Sequence, residues 1–176
     1  MGGAAVMPKT LTKPRRRKQV HVGRQDRGRR MSLDDFDTAE APEGVVLELH
    51  NGVIEAIDFP ELPEIRQRLA IRDQLIFYGV NHRDVVVAVA TQLESKVVIK
   101  SMESECHPEI SVYLTPAPKL DAPWSVWIPG IVVEVVSQAS VKRDYEIKPA
   151  EYLAFGIQEY WIVDGRRKTM TVKSRR

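Results

Sequence analysis

Residues Pro129 to Asp164 read PGIVVEVVSQASVKRDYEIKPAEYLAFGIQEYWIVD, and this stretch decides the fold. An acid, Glu134, sits inside the apolar run Ile131, Val132, Val133, Val135, Val136. The length and β-branched content of that run predict a buried strand. By period two, Glu134 shares a face with Val132 and Val136. A carboxylate there must be paired, hydrogen-bonded or cation-bound to stay charged. A helix follows, ending near Phe155 with Gly156 at its C-cap. Pro149 suits a first helical turn, which puts Lys148 near the helix N-terminus. Tyr145, Lys148 and Tyr152 then fall on one helix face. A strand from Tyr160 to Val163 closes the unit.

Working outward toward the C-terminus, Gly165 to Lys168 reads as a turn and Thr169 to Lys173 as a short last strand. Upstream, Pro116 to Pro129 is a loop carrying Trp124 and Trp127. Strands are expected at Asp84 to Leu93, Lys96 to Lys100 and Glu109 to Leu114. In the last, Ile110, Val112 and Leu114 share one face and Glu109, Ser111 and Tyr113 the other. Glu64 to Tyr78 has helical spacing, with Gly79 as its stop. Val45 to His50 and Val53 to Ile57 flank Asn51-Gly52, a strong type I′ hairpin signal. Glu48 faces the same way as Val46 and His50. A short helix from Leu33 to about Thr38 comes first, with Ser32 as N-cap. Together these predict an α/β (α+β) fold, a mixed β-sheet flanked by helices.

Charge is unevenly spread. Residues 1–30 hold ten bases and one acid, Asp26, whereas residues 31–176 hold 16 bases against 23 acids. Residues 1–30 lack apolar periodicity and are expected to be a disordered basic arm, with a single domain over 31–176. PRRRK and GRR in the arm suit phosphate binding, while Met31-Ser32-Leu33 reads as a natural start. One cysteine, Cys106, excludes an internal disulfide and a multi-cysteine zinc cluster. No stretch is long enough for a membrane helix, so no membrane partner is expected and a cytoplasmic location is the default. HxxxH, HExxH, GxSxG, Walker and GxGxxG motifs are all missing, which removes the usual support for zincins, serine hydrolases, NTPases and dinucleotide enzymes.

Taken singly, Glu109 reads more readily as a solvated strand-end acid, and Lys148 as a surface lysine. Asp144 suits a helix cap or a supporting acid. Trp124, Trp127 and Trp161 suit core packing or the anchors of a homodimer.

The order of these residues is similar to that of a known family. LELHNGVIEAI, HPEISVYL, VVEVVSQAS, DYEIKPAEYLAFGI and QEYWIVD resemble the successive signposts of the Uma-type restriction endonucleases, a branch of the PD-(D/E)XK nuclease superfamily. The likeness runs from about Met31 to the end. Three departures stand out. Pro108-Glu109 replaces the usual Pro-Asp, Gln138 replaces a proline, and residues 67–100 match only in outline. The superfamily's usual lysine position, two after the second acid, is Val136, so the family's helix lysine corresponds to Lys148. The resemblance implies a restriction-endonuclease-like core and a DNA endonuclease dependent on Mg²⁺ or Mn²⁺. Glu109, Glu134 and the Val135 carbonyl would hold the ion, Lys148 would act in catalysis, and Glu48, Asp144 and Tyr152 would support them. The other reading open at this point is a catalytically inactive binding or scaffold protein on the same fold.

Overall fold

Asn51 and Gly52 both adopt left-handed backbone, φ 50° and 73°, as a two-residue type I′ turn requires. They join β1 (Val46–His50) to β2 (Val53–Ile57). The computed structural model describes residues 20–175. Upstream of the hairpin lies α1 (Leu33–Asp37), whose N-cap Ser32 hydroxyl accepts the Asp35 N–H at 3.2 Å. After it come α2 (Leu62–Asn81), β3 (Ala88–Thr91), β4 (Val97–Ile99), β5 (Ser104–Cys106), β6 (Ile110–Tyr113) and β7 (Ile131–Val135). The chain finishes with α3 (Lys148–Phe155), β8 (Glu159–Asp164) and β9 (Thr169–Ser174).

The strands form two sheets, where the sequence suggested one. Strands β2-β1-β5-β4 make an antiparallel sheet, and β3-β6-β7-β8-β9 make the larger one. The larger sheet is mixed, because β7 and β8 run parallel across the α3 crossover while its other pairs are antiparallel. One face of β6 and β7 offers Ile110, Val112 and Val133 to Val86 and to Ile71 and Leu75 of α2. The opposite face sends Val132 and Val136 into a core shared with Tyr152 of α3 and with Val97, Ile99 and Cys106 of the smaller sheet. That second face carries Glu134, as period two requires.

Several expectations need correction. Asp84 to Leu93 is not one long strand; only Ala88–Thr91 pairs with β6, and Val85, Val87 and Leu93 are exposed. Helix α2 runs past Gly79 to Asn81. Gly79 there serves close packing, since a Cβ on it would sit 3.0 Å from Val86 Cγ1. Strand β5 escaped detection because Ser-Glu-Cys has no apolar alternation. The three tryptophans have partners within the chain. Trp127 stacks on Tyr113 at 3.7 Å, Trp124 lies near Trp127, and Trp161 packs against the α2-side core.

The arm boundary also moves. Residues 1–19 lie outside the described residues, but 20–30 are tied to the domain. Val22 is buried beside Leu33, Phe36 and Leu49. Backbone bonds run from Val22 N–H to the Glu40 carbonyl, from Gly28 N–H to the Ile54 carbonyl, and from Ile54 N–H to the Arg29 carbonyl. Arg24 and Arg27 pair with Asp58 and Glu55 rather than standing free for phosphate. A chain beginning at Met31 should therefore melt roughly 5 °C or more below one beginning at Val20, because burying a valine contributes about 1.5–3 kcal/mol. Equal melting temperatures by calorimetry would show that residues 20–30 contribute nothing.

Candidate active site

Four elements bring the charged residues together. Strand β1 supplies Glu48, the start of β6 and β7 supply Glu109 and Glu134, and the first turn of α3 supplies Lys148. All four line one narrow cleft with Arg143 and Asp144, and its cavity volume is about 30 Å³. That is room for about one water or one small ion. Every site residue expected from sequence lies in or directly behind this cleft.

Lys148 is almost wholly buried, with its Nζ 2.7 Å from Glu134 Oε1 and 3.2 Å from Glu48 Oε1. Burial works against its charge, but Glu134 and Glu48 outweigh burial and push its pKa up. The Tyr152 hydroxyl donates to the same Glu134 Oε1 at 2.7 Å. Glu109 Oε2 accepts the Val135 N–H at 3.0 Å. Among the described residues, no donor is directed at Glu109 Oε1 or Glu134 Oε2. Burial, and then the Glu134 charge, push Glu109 up to about 8. Burial pushes Asp144 up to about 6, with Lys148 opposing and Glu134 adding. Asp144 Oδ1 and Arg143 Nε are buried without hydrogen-bond partners, 3.7 Å apart.

Tyr145 departs from its expected place. A π-helical turn, Arg143–Ile147, precedes α3 and changes the helical phase. The Tyr145 hydroxyl consequently donates to Asp164 Oδ2 at 3.3 Å, away from Glu134.

Sequence reasoning missed the charges behind the cleft. His50 Nε2 lies 3.1 Å from Glu48 Oε2 and its Nδ1 2.6 Å from Glu151 Oε2. With a carboxylate at each nitrogen, the ring is assigned as imidazolium. Burial opposes that charge, but Cys106, Glu151 and Glu48 push His50 up to about 12. For Glu48, burial favours the neutral acid, yet Lys148, His50 and Arg143 hold it well below the usual carboxylate range. Two spacings carried the signal. His50 lies two after Glu48 on one strand, and Glu151 three after Lys148 on one helix.

Two ligand sets deserve a test of fit to a cation. His50 Nδ1, Cys106 Sγ and Glu151 Oε2 lie within 4.8 Å of one another. Two ligands at about 2.0–2.2 Å from one tetrahedral zinc would stand roughly 3.4 Å apart. The 2.6 Å contact from His50 to Glu151 is a hydrogen bond instead, and a proton joins them. The cleft fits better. Glu109 and Glu134 each present one oxygen without a protein donor, Asp144 adds an unpartnered one, and an all-oxygen set suits a hard divalent ion. A separate cavity of about 420 Å³ beside Val22, Phe36 and Leu47 shares only His107 with the cleft and has mainly apolar walls.

The model of the Uma2 family, described as "Putative restriction endonuclease", matches residues 33–176, and the chain belongs to that family. A crystal structure described as a putative nuclease belonging to DUF820, from Anabaena variabilis ATCC 29413, is similar in fold. Its TM-score is 0.64 at 18% identity, covering 83% of this chain and 80% of that one. No curated protein matches the chain. The fold is thus the restriction-endonuclease-like one, here with two sheets flanked by helices. Among the described residues no helix is long and apolar enough to cross a membrane.

The Glu109 environment sets a pH dependence for the ion-free chain. Unfolded, this carboxyl ionises near 4.5; folded, near 8. Below 4.5 both states keep the proton. Between 4.5 and 8 the unfolded state alone loses it, so the stability contribution falls as pH rises through that window. Glu109→Gln should therefore melt higher than wild type at pH 8 without divalent ions, by on the order of 5 °C, and the gap should shrink toward pH 4. Asp144 acts in the same direction in both proteins. A gap independent of pH in chelator-treated samples would contradict the half-buried, charge-crowded setting of Glu109.

Proposed function

We propose that this protein is a metal-dependent endonuclease hydrolysing DNA phosphodiester bonds. The observation that carries the reading is Glu109 and Glu134 lining one small cleft, each with an unclaimed oxygen, beside a buried Lys148 2.7 Å from Glu134. Glu109 and Glu134 would hold Mg²⁺ or Mn²⁺, with the Val135 carbonyl that the family resemblance adds. When bound, such an ion lowers the pKa of a coordinated water and polarises the phosphate. The protein's own groups do the remainder. Lys148 stays protonated and offers its ammonium to charge developing on the phosphate oxygens. Tyr152 fixes Glu134 by its hydroxyl, and Glu48 anchors Lys148 from the other side. Asp144 supports the acidic wall. The free, buried Cys106 suits a reducing, cytoplasmic setting.

The competing reading is a binding or scaffold protein on the same fold. Glu109 favours it in one respect: the side chain is one methylene longer than the family's aspartate, and it carries a proton near neutral pH when no ion is present.

Substitutions separate the roles. Glu134→Ala should lose both Mn²⁺ binding and plasmid nicking, because it removes a ligand. Lys148→Ala should bind Mn²⁺ at least as well as wild type, since a nearby positive charge is gone, yet nick on the order of 10²–10³ slower. Isothermal titration and a supercoiled-plasmid assay on the same samples check this. Equal Mn²⁺ binding by wild type and Glu134→Ala would move the ion elsewhere. A wild type that neither binds Mn²⁺ nor nicks would leave the scaffold reading.

A further inference from the structure

Strand β1 presents Glu48 and His50 on one face, two residues apart. Helix α3 presents Lys148 and Glu151 on one face, three apart. Where strand and helix meet, these four charges alternate in sign. Glu134 contacts Lys148 at 2.7 Å, Lys148 contacts Glu48 at 3.2 Å, Glu48 contacts His50 at 3.1 Å, and His50 contacts Glu151 at 2.6 Å. At the far end, Glu151 Oε1 receives Ser104 Oγ at 2.7 Å and Asn51 Nδ2 at 3.2 Å. Glu48 and Glu151 are fully buried, and His50 nearly so.

Neither His50 nor Glu151 lines the cleft. Neither can touch a phosphate there, so any effect on the chemistry must pass through Glu48. That residue has both oxygens committed. Oε1 takes Lys148 and the His107 N–H at 2.7 Å, and Oε2 takes His50. With Oε2 tethered, the Glu48 carboxylate cannot rotate toward the acids across the cleft. Its Oε1 stays on Lys148, and the ammonium stays aimed at Glu134. Without His50, Glu48 would have a buried oxygen to satisfy and would seek another donor, such as Arg143, whose Nε stands 3.6 Å from Oε2. Without the Glu151 charge, the imidazolium would lose the partner that offsets its burial, and its hold on Glu48 would weaken.

We propose that His50 and Glu151 are positioning residues: they lock Glu48, and through it hold the Lys148 ammonium at the cleft. The proposal rests on the cleft being the phosphodiesterase site. It assigns a role in the reaction to two residues about 100 positions apart, neither of which meets the substrate.

The test is a double-mutant cycle on the full chain. Glu151→Gln keeps the shape and an oxygen for Ser104 and Asn51 but removes the charge. Its Mn²⁺-dependent nicking should fall on the order of ten-fold in kcat, with KM for plasmid and Mn²⁺ affinity within about twofold of wild type. In a Glu48→Gln background, Glu151→Gln should cost nothing further, because its effect travels through Glu48. Cys106→Ala disturbs the same pocket, 3.6 Å from Glu151 and 3.7 Å from His50, but removes neither of the two carboxylate contacts of His50, and should nick at the wild-type rate. Full activity of Glu151→Gln, a loss that adds to that of Glu48→Gln, or an equal loss in Cys106→Ala would each overturn the relay. If Glu151→Gln does not fold, His50→Gln takes its place in the cycle; failure of both to fold makes the pair structural only and overturns the proposal. If wild type never nicks, the nuclease reading fails by itself, and the same cycle read by thermal unfolding decides the relay. Non-additive losses in melting temperature between Glu151→Gln and Glu48→Gln keep it, and additive losses remove it.

Discussion

A carboxylate buried in the central strand of the larger sheet is the constraint on which the rest depends. Glu134 sits between Val132 and Val136 on a face otherwise packed with aromatic and branched side chains. Its charge is tolerable there only with a cation or strong donors at hand. Helix α3 provides both from one face, Lys148 and Tyr152, four residues apart and each 2.7 Å from the same oxygen. This fixes the rotation of α3 about its axis. It also fixes the helix's height along β7, because Lys148 is in its first turn.

The same helix face reaches the smaller sheet. Lys148 and Glu151 meet Glu48 and His50 of β1, so the polar contacts that position the cleft also join the two sheets. Buried ion pairs of this kind contribute little net stability against a well-packed apolar core, but breaking one partner is costly. Their value here is geometric. An apolar interface would let α3 slide against β1, whereas alternating charges accept one register. What remains at the mouth is an acidic surplus: Glu109, crowded by Glu134, and Asp144, with an oxygen that no donor meets. This acidic surplus at the mouth is the electrostatic feature on which the proposed cation site rests.

Much of this was legible in the sequence because it follows from local periodicity. The alternation around Glu134 gave its face, Asn51-Gly52 gave the hairpin, and Pro149 and Gly156 bracketed α3. Lys148 and Tyr152 fell on a common face because they lie within one unbroken helix. Tyr145 was misplaced because a π-helical turn leaves no mark in apolar spacing. His50 and Glu151 were missed for another reason, although their spacing from Glu48 and Lys148 held a signal. Each is an ordinary polar residue until a partner from the other end of the chain buries it. Tertiary contacts likewise decided where residues 20–30 lie, since Val22 alone, among basic neighbours, gives no periodic pattern. Strand β3 came out shorter than its apolar run because β6 offers only four residues to pair with.

Under the proposed function, Glu109 and Glu134 together would form a site for a hard divalent ion. A crystal of the full chain soaked in Mn²⁺, measured for anomalous scattering, tests it most directly. One peak is expected within bonding distance of both carboxylates, with Lys148 still beside Glu134. An ordered site without such a peak, or a peak at His50, Cys106 and Glu151 instead, would contradict it.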